Sequence, residues 1–198
     1  MRLPYAPTTP PDDAGPNAAI YERIAARRAP RPLTSLDLAL LHAPPIADGW
    51  NTFLGAIRTK NNLPASVFEL AICRVAVLNG AVYEWTHHAP LAVKGGVSAD
   101  GMETIRLAPE GAAAAGRKSD GEGGLSRREW AVLAYTDQMT KGVTVDDGVF
   151  ARVREDFEEA QVVELTATVA AYNCVSRFLV ALDVGEANGG EIKGVQDL

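Results

Sequence analysis

Long apolar runs, cysteines and excess positive charge are all scarce in this chain, and each scarcity removes a class of function. Nowhere do about 18 apolar residues run together without charge, and MRLPYAPTTPPDDAGPN carries no apolar stretch of signal-peptide length. No membrane partner is expected, and the location expected is cytoplasmic. Cys73 and Cys174, the two cysteines, stand about a hundred positions apart in apolar surroundings. That is neither the spacing of a metal site nor that of a CxxC redox pair, and it predicts two buried free thiols. Basic residues are outnumbered, 19 Lys plus Arg against 25 Asp plus Glu, and the formal net charge of -6 repels phosphate backbones. Nucleic acid is therefore not an expected partner. The Gly-rich stretch EGAAAAGRKSDGEGG lacks the GxxxxGK[ST] spacing of a phosphate-binding loop.

What remains is a chain of 198 residues, 47% hydrophobic, enough for the core of one ordinary domain. Residues 1–16 hold five of the twelve prolines and no periodic apolar face, so they read as an extended arm packed on the domain or on a neighbouring subunit. From 17 to 198 the apolar periodicity is helical and predicts a single all-α domain. Three short helices come first: AAIYERIAARRA, then LTSLDLALLHA with Ser35 as N-cap, then PPIADGWNTFLGAIRTKN opened by Pro44 and Pro45. LPASVFELAICRVAVLNG and VYEWTHHAPLAVKGG form a helical hairpin around the Asn79-Gly80 break, and Ser98 caps a follow-on helix. Residues 109–125 are expected to be a mobile loop. Ser126 with Glu129 makes a capping box for LSRREWAVLAYTDQMTKG, and at least two helices follow. ASVFELAICRVA also aligns with AQVVELTATVAA at an offset of 95, matching Glu69 to Glu164, as an ancestral hairpin duplication would.

Chemistry concentrates in the hairpin. Glu84 and His88 are four apart, so on a helix they share a face at about 5–6 Å between Cβ atoms. Glu69 lies in FELAICRVAVL, where a lone buried carboxylate is unfavourable unless paired or protonated. The antiparallel hairpin carries it toward the Glu84 helix, with Cys73 one turn on in the same stripe. Burial and a second carboxylate raise a carboxyl pKa, while a helix N-terminus and a protonated histidine lower it. Glu69 and Glu84 are thus expected in opposite protonation states, as general acid–base catalysis requires. The plainer reading of the pair is a surface salt link, with Glu69 bonded to Arg74 or a helix end. Metal binding by Glu84, His87 and His88 is not expected, because adjacent residues point about 100° apart around a helix and no HExxH occurs.

Further candidates for contact with a substrate are Tyr83, Trp85, Cys73, His42 and Arg74. Tyr83 and Trp85 equally suit a core or an interface. His42 equally suits the end of its helix. Arg74 or Lys94 would offer positive charge to a substrate carboxylate, though such side chains also cover apolar surface. The run RIAARRAPR reads as a solvated face or an intersubunit ionic contact.

ELAICRVAVLNGAVYEWTHHAPLAVKGGVS, residues 69–98, resembles the carboxymuconolactone decarboxylase and alkylhydroperoxidase D-like superfamily. The pattern is a Glu-Leu helix start, a break, Glu-x-x-x-His and a downstream Ala-x-x-x-Gly-Val-Ser, and flanking segments extend the likeness to 34–183. The resemblance implies an all-α bundle that assembles as a homotrimer, homohexamer or dimer, with pockets at subunit contacts. In the peroxidase branch a CxxC pair precedes the histidine. Here Ala81 and Glu84 stand at those places, so no thiolate is available to attack a peroxide. The decarboxylase branch keeps Glu-x-x-x-His and needs no cofactor. The resemblance thus implies a cofactor-free lyase or isomerase acting on a small organic acid, lactone or ketone, with His88 as proton donor or shuttle, Glu84 exchanging protons with it and Glu69 as relay. The alternatives are a redox protein using Cys73 as a single thiol, and a non-catalytic oligomeric ligand-binding protein.

Overall fold

A computed structural model describes residues 1–116 and 118–198. Among the described residues there are nine α-helices, four 3-10 turns and no strand. The chain divides into two compact units, Met1–Lys60 with Ala181–Glu186, and Asn61–Val180 with Ala187–Leu198.

The first unit holds α1 (Ala18–Arg28), α2 (Ser35–Leu40) and α3 (Pro44–Thr59). α2 begins one residue earlier than the serine suggests. Thr34 is the cap, accepting from the Asp37 amide while the Asp37 carboxyl accepts from the Thr34 amide at 2.9 Å. A hydroxyl one position ahead completes a capping box that Ser35 cannot. Asp37 is buried and also takes a bidentate pair from Arg28 at 2.7 and 2.9 Å. Arg23 pairs with Asp48 at 2.8 Å. Within the basic run, then, Arg23 and Arg28 are engaged inside their own chain. The N-terminal arm is tied down through its backbone: the Arg2 amide donates to the Leu182 carbonyl at 2.8 Å and the Ala6 amide to the Leu38 carbonyl at 3.2 Å.

The second unit is built on α4 (Ala65–Asn79), whose middle turns are buried on every side, as a helix apolar all round must be. α5 (Val82–Lys94), α6 (Ala99–Leu107) and α7 (Arg127–Lys141) pack around it, and α7 packs on α8 (Asp147–Asp156). Gly80 ends α4 at a φ of 63°, and the Gly80 and Ala81 amides donate to the Val77 and Ala76 carbonyls at 3.2 and 2.8 Å. This Schellman closure reverses the chain within two residues and lays α5 back along α4. At the far end of the hairpin, a Cβ on Gly95 would lie 3.0 Å from the backbone of Ala65 and Ser66, so the absence of a side chain there lets α5 finish against the start of α4. The expected caps hold: Ser98 accepts from the Gly101 amide, and Ser126 with Glu129 forms a complete capping box.

Within the expected mobile loop 109–125, the Gly111 amide donates to Asp137 at 3.0 Å. Arg152 donates to the Ala113 and Gly116 carbonyls at 3.2 and 2.8 Å. Arg117 lies outside the described residues. α9 (Glu159–Leu182) is long and apolar enough to cross a membrane by length and composition alone, yet it buries Val162, Leu165, Val169, Tyr172 and Val175 at helical spacing in the fold. Cys73 is buried as expected. Cys174 is exposed, because the Val162–Tyr172–Val175 face of α9 turns inward and leaves it on the other side.

Candidate acid–base site

The hairpin register assembles the site. Ala81 bonds Ala76 next to the turn, and His88 Nδ1 lies 2.6 Å from Glu69 Oε2 further along. In an antiparallel pair the register that sets 81 against 76 and 88 against 69 sets Glu84 against Cys73. Glu69, Cys73, Glu84 and His88 thus line the seam of two helices, each with less than a tenth of its surface exposed. The expected pairing is corrected in one respect: the acidic partner of His88 is Glu69 across the seam, not Glu84 one turn away on the same helix.

The two carboxyls have different surroundings. Glu69 is hydrogen-bonded to the imidazole. With its hydrogen on Nδ1, the ring donates to Glu69, and that bond selects the tautomer in which Nε2 is the basic nitrogen. Tyr172 of α9 stands edge-on to the same ring, with centroids 5.0 Å apart and planes at 83°. Glu84 is 2% exposed, and neither of its carboxyl oxygens has a hydrogen-bond partner. It sits in the first turn of α5, where the helix dipole favours an anion by about 0.3–1 kcal/mol. Withdrawing an unpaired carboxylate from water costs several kcal/mol, so burial wins. Burial accordingly lifts the Glu84 carboxyl well above the usual range, which favours its neutral acid form. Cys73 is raised as well, by burial and then by the field of Glu69.

The remaining candidates fall elsewhere. Arg74 does not reach out to a substrate. Its guanidinium makes a bidentate buried pair with Asp137 at 2.6 and 3.0 Å and donates to the carbonyls of Ile105, Ala108 and Pro109. Lys94 is exposed at the end of α5. Trp85 is fully buried and its indole N–H donates to the Lys193 carbonyl at 2.9 Å, so it is core rather than a substrate contact. Tyr83 stacks on the exposed His87 at 4.2 Å. His42 belongs to the first unit, where its Nε2 bonds the Pro4 carbonyl at 2.6 Å and pins the arm. Among the described residues no group of three or more His, Cys, Asp or Glu is arranged to hold a metal ion.

Sequence reasoning missed Tyr172 and Asp137. Tyr172 has no spacing relation to His88 and reads as one more apolar residue of α9. It is placed there with the help of Asn79, whose side chain donates to Asn173 and Ser176 at 3.1 and 2.7 Å. Asp137 had a faint signal, an acid in the middle of the apolar face of α7. In the aligned second copy, Glu164 does structural work, accepting from the backbone and side chain of Asn62 at 2.9 Å each.

Residues 44–138, the span containing Glu69, Glu84 and His88, match the model of the carboxymuconolactone decarboxylase family. The fold is that of the alkylhydroperoxidase D-like helical proteins. A peroxidase-related protein with an alkylhydroperoxidase AhpD core from Ralstonia eutropha JMP134 superposes with a TM-score of 0.70 at 17% identity, covering 92% of this chain and 90% of its own. A cysteine-to-alanine variant of the debrominase Bmp8, in complex with 2,3,4-tribromopyrrole, gives 0.62 at 18% identity, covering 94% and 97%. A protein of unknown function from Agrobacterium tumefaciens gives 0.57 at 14% identity, covering 73% and 92%. No curated protein sequence matches the chain.

Proposed function

We propose that this protein is a cofactor-free acid–base enzyme of the lyase or isomerase type, acting on a small carboxylated lactone, keto acid or related carbonyl compound. The observation that carries the reading is the pairing of opposites at one seam: His88 held by Glu69 with Nε2 as the basic nitrogen, and Glu84 buried as a neutral acid. An imidazole held by a carboxyl beside a buried acid offers the base and the acid that proton transfer needs.

In this reading Nε2 takes the hydrogen next to a carbonyl as a proton. The C–H pair becomes a carbon–carbon double bond, the carbonyl pair moves onto oxygen, and Glu84 protonates that oxygen. In an unsaturated substrate, return of the proton at the far carbon of the conjugated dienol, with the oxygen giving its proton back to Glu84, completes an isomerisation. In a lyase variant, loss of carbon dioxide supplies the same enol without proton abstraction, and reprotonation of carbon follows. The roles differ from the sequence expectation, with His88 as base and Glu84 as acid. The match of residues 44–138 to the carboxymuconolactone decarboxylase family supports this class of reaction, and a cytoplasmic homo-oligomer, as trimer, hexamer or dimer, fits it.

The single-thiol redox reading is disfavoured, because a buried thiol beside two carboxyls has little thiolate to offer. The debrominase neighbour supports only the idea that this fold accommodates chemistry on small ring compounds. The test is solvent-deuterium exchange next to the carbonyl across a panel of lactones and keto acids, followed by proton magnetic resonance. His88→Asn and Glu84→Gln should each slow exchange by about 100-fold or more, the usual scale for a positioned acid or base. Wild-type rates in both variants would refute the assignment.

A further inference from the structure

The charges around the seam bear on which carbonyl compounds the site accepts. α4 contains one cation, Arg74, and all its donor groups are turned away into Asp137 and three backbone carbonyls. On α5 the lysine is Lys94, ten residues beyond Glu84 and about 15 Å along the helix at 1.5 Å per residue. Facing the seam are a carboxyl bonded to an imidazole, a thiol, and Glu84 with both oxygens buried and unpartnered. The unused hydrogen-bonding capacity lies at Glu84, a carboxyl group withdrawn from water.

We propose that Glu84 is the recognition group for an uncharged carbonyl oxygen, so that the substrate is a neutral ketone, ester or lactone rather than a compound that carries a free carboxylate. The inference rests on the acid–base reading above and narrows it toward isomerisation by enolisation and away from decarboxylation. A neutral acid donates one hydrogen bond to a carbonyl oxygen and gains from the dry surroundings. A substrate carboxylate in the same place would lose its hydration beside Glu69 with no cation from α4 or α5 to replace the water. The field of the site has the same sign: Glu69 acts on the Cys73 thiol to disfavour a negative charge there.

Methyl levulinate and levulinate share the same ketone and differ in whether the far carboxyl is a neutral methyl ester or a carboxylate, so they form a matched pair of probes. Deuterium exchange next to the ketone is followed for wild type, Glu84→Gln and His88→Asn. In parallel, infrared difference spectra of wild type against Glu84→Gln locate the carboxylic acid band of Glu84 in the intact protein. The expected result is a kcat/KM for the ester at least about tenfold above that for the acid, since like charges brought together are strongly disfavoured. The Glu84 band should also shift when the ester binds. Equal or faster exchange of levulinate overturns the proposal, and if His88→Asn still abolishes that exchange the acid–base reading survives it. Exchange of the ester that persists in His88→Asn removes the acid–base reading, while a shifted Glu84 band keeps the neutral-oxygen site. Failure of both probes to exchange, with the band unmoved by the ester, overturns the proposal.

Discussion

His88 Nδ1 and Glu69 Oε2 meet at 2.6 Å across two helices although 19 positions separate the residues. This bond orients the imidazole and sets which nitrogen is basic, so Glu69 acts through His88. Glu69→Gln retains the shape but lets the amide present either its oxygen or its NH2 to Nδ1. Turnover is expected to fall by about 10–100-fold, a loss of about 1.5–3 kcal/mol as for a hydrogen bond to a charged group. The pH–rate profile should move with it. An unchanged profile would show that Glu69 only fills space.

Burial of Glu84 makes stability depend on pH in a definite direction. A carboxyl whose pKa is higher folded than unfolded binds more protons in the native state between the two values, so stability falls as pH rises through that window. Below the ordinary glutamate value of about 4.3 the contribution is fully present, and each unit of displacement corresponds to about 1.4 kcal/mol lost above the window. Glu84→Gln should flatten this dependence and be more stable than wild type at alkaline pH. Urea denaturation across a pH series checks it, and parallel curves for the two proteins would count against a neutral Glu84.

Arg74 and Asp137 are each 1% exposed and bonded twice to one another. Removing one partner leaves a buried charge uncompensated, so Arg74→Met or Asp137→Leu should each destabilise by about 3–5 kcal/mol. The double substitution should recover much of that, because two apolar side chains leave no charge behind. Chemical denaturation of the three variants measures the coupling. Additive losses would mean that Arg74 stabilises chiefly through the carbonyls of Ile105 and Ala108.

The two thiols should differ in reactivity. Cys174 is exposed and should alkylate readily in the native protein, whereas Cys73 should react only on unfolding. Mass spectrometry after timed iodoacetamide treatment distinguishes them. Rapid native labelling of Cys73 would revive the single-thiol redox reading.

Much of the fold was legible because its signals are local. Asn79-Gly80, Ser98, and Ser126 with Glu129 act within a few residues of themselves, and the structure uses each of them as the spacing suggests. Thr34 in place of Ser35 is a one-residue error at a boundary with two adjacent hydroxyls, where only the carboxyl of Asp37 decides. Glu69, Glu84 and His88 were legible as candidates because a charge in an apolar stripe is anomalous in any context. The fates of Arg74, Trp85 and His42 were not, since a long basic side chain, an indole or a helix-end imidazole suits several roles until its partner is known.

By itself the sequence determined the helices, their caps, the tight reversal after α4 and the presence of two carboxyls and a histidine on the hairpin. Those features follow from backbone preference and from the 3.6-residue period, which act over a few positions. Tertiary structure alone decided which carboxyl bonds His88 and which is left buried and neutral. It also brought Asp137 to Arg74 and Tyr172 to His88 from elements far along the chain. Protonation and pairing depend on desolvation and on distances of a few ångströms between helices, and those exist only once the helices have packed.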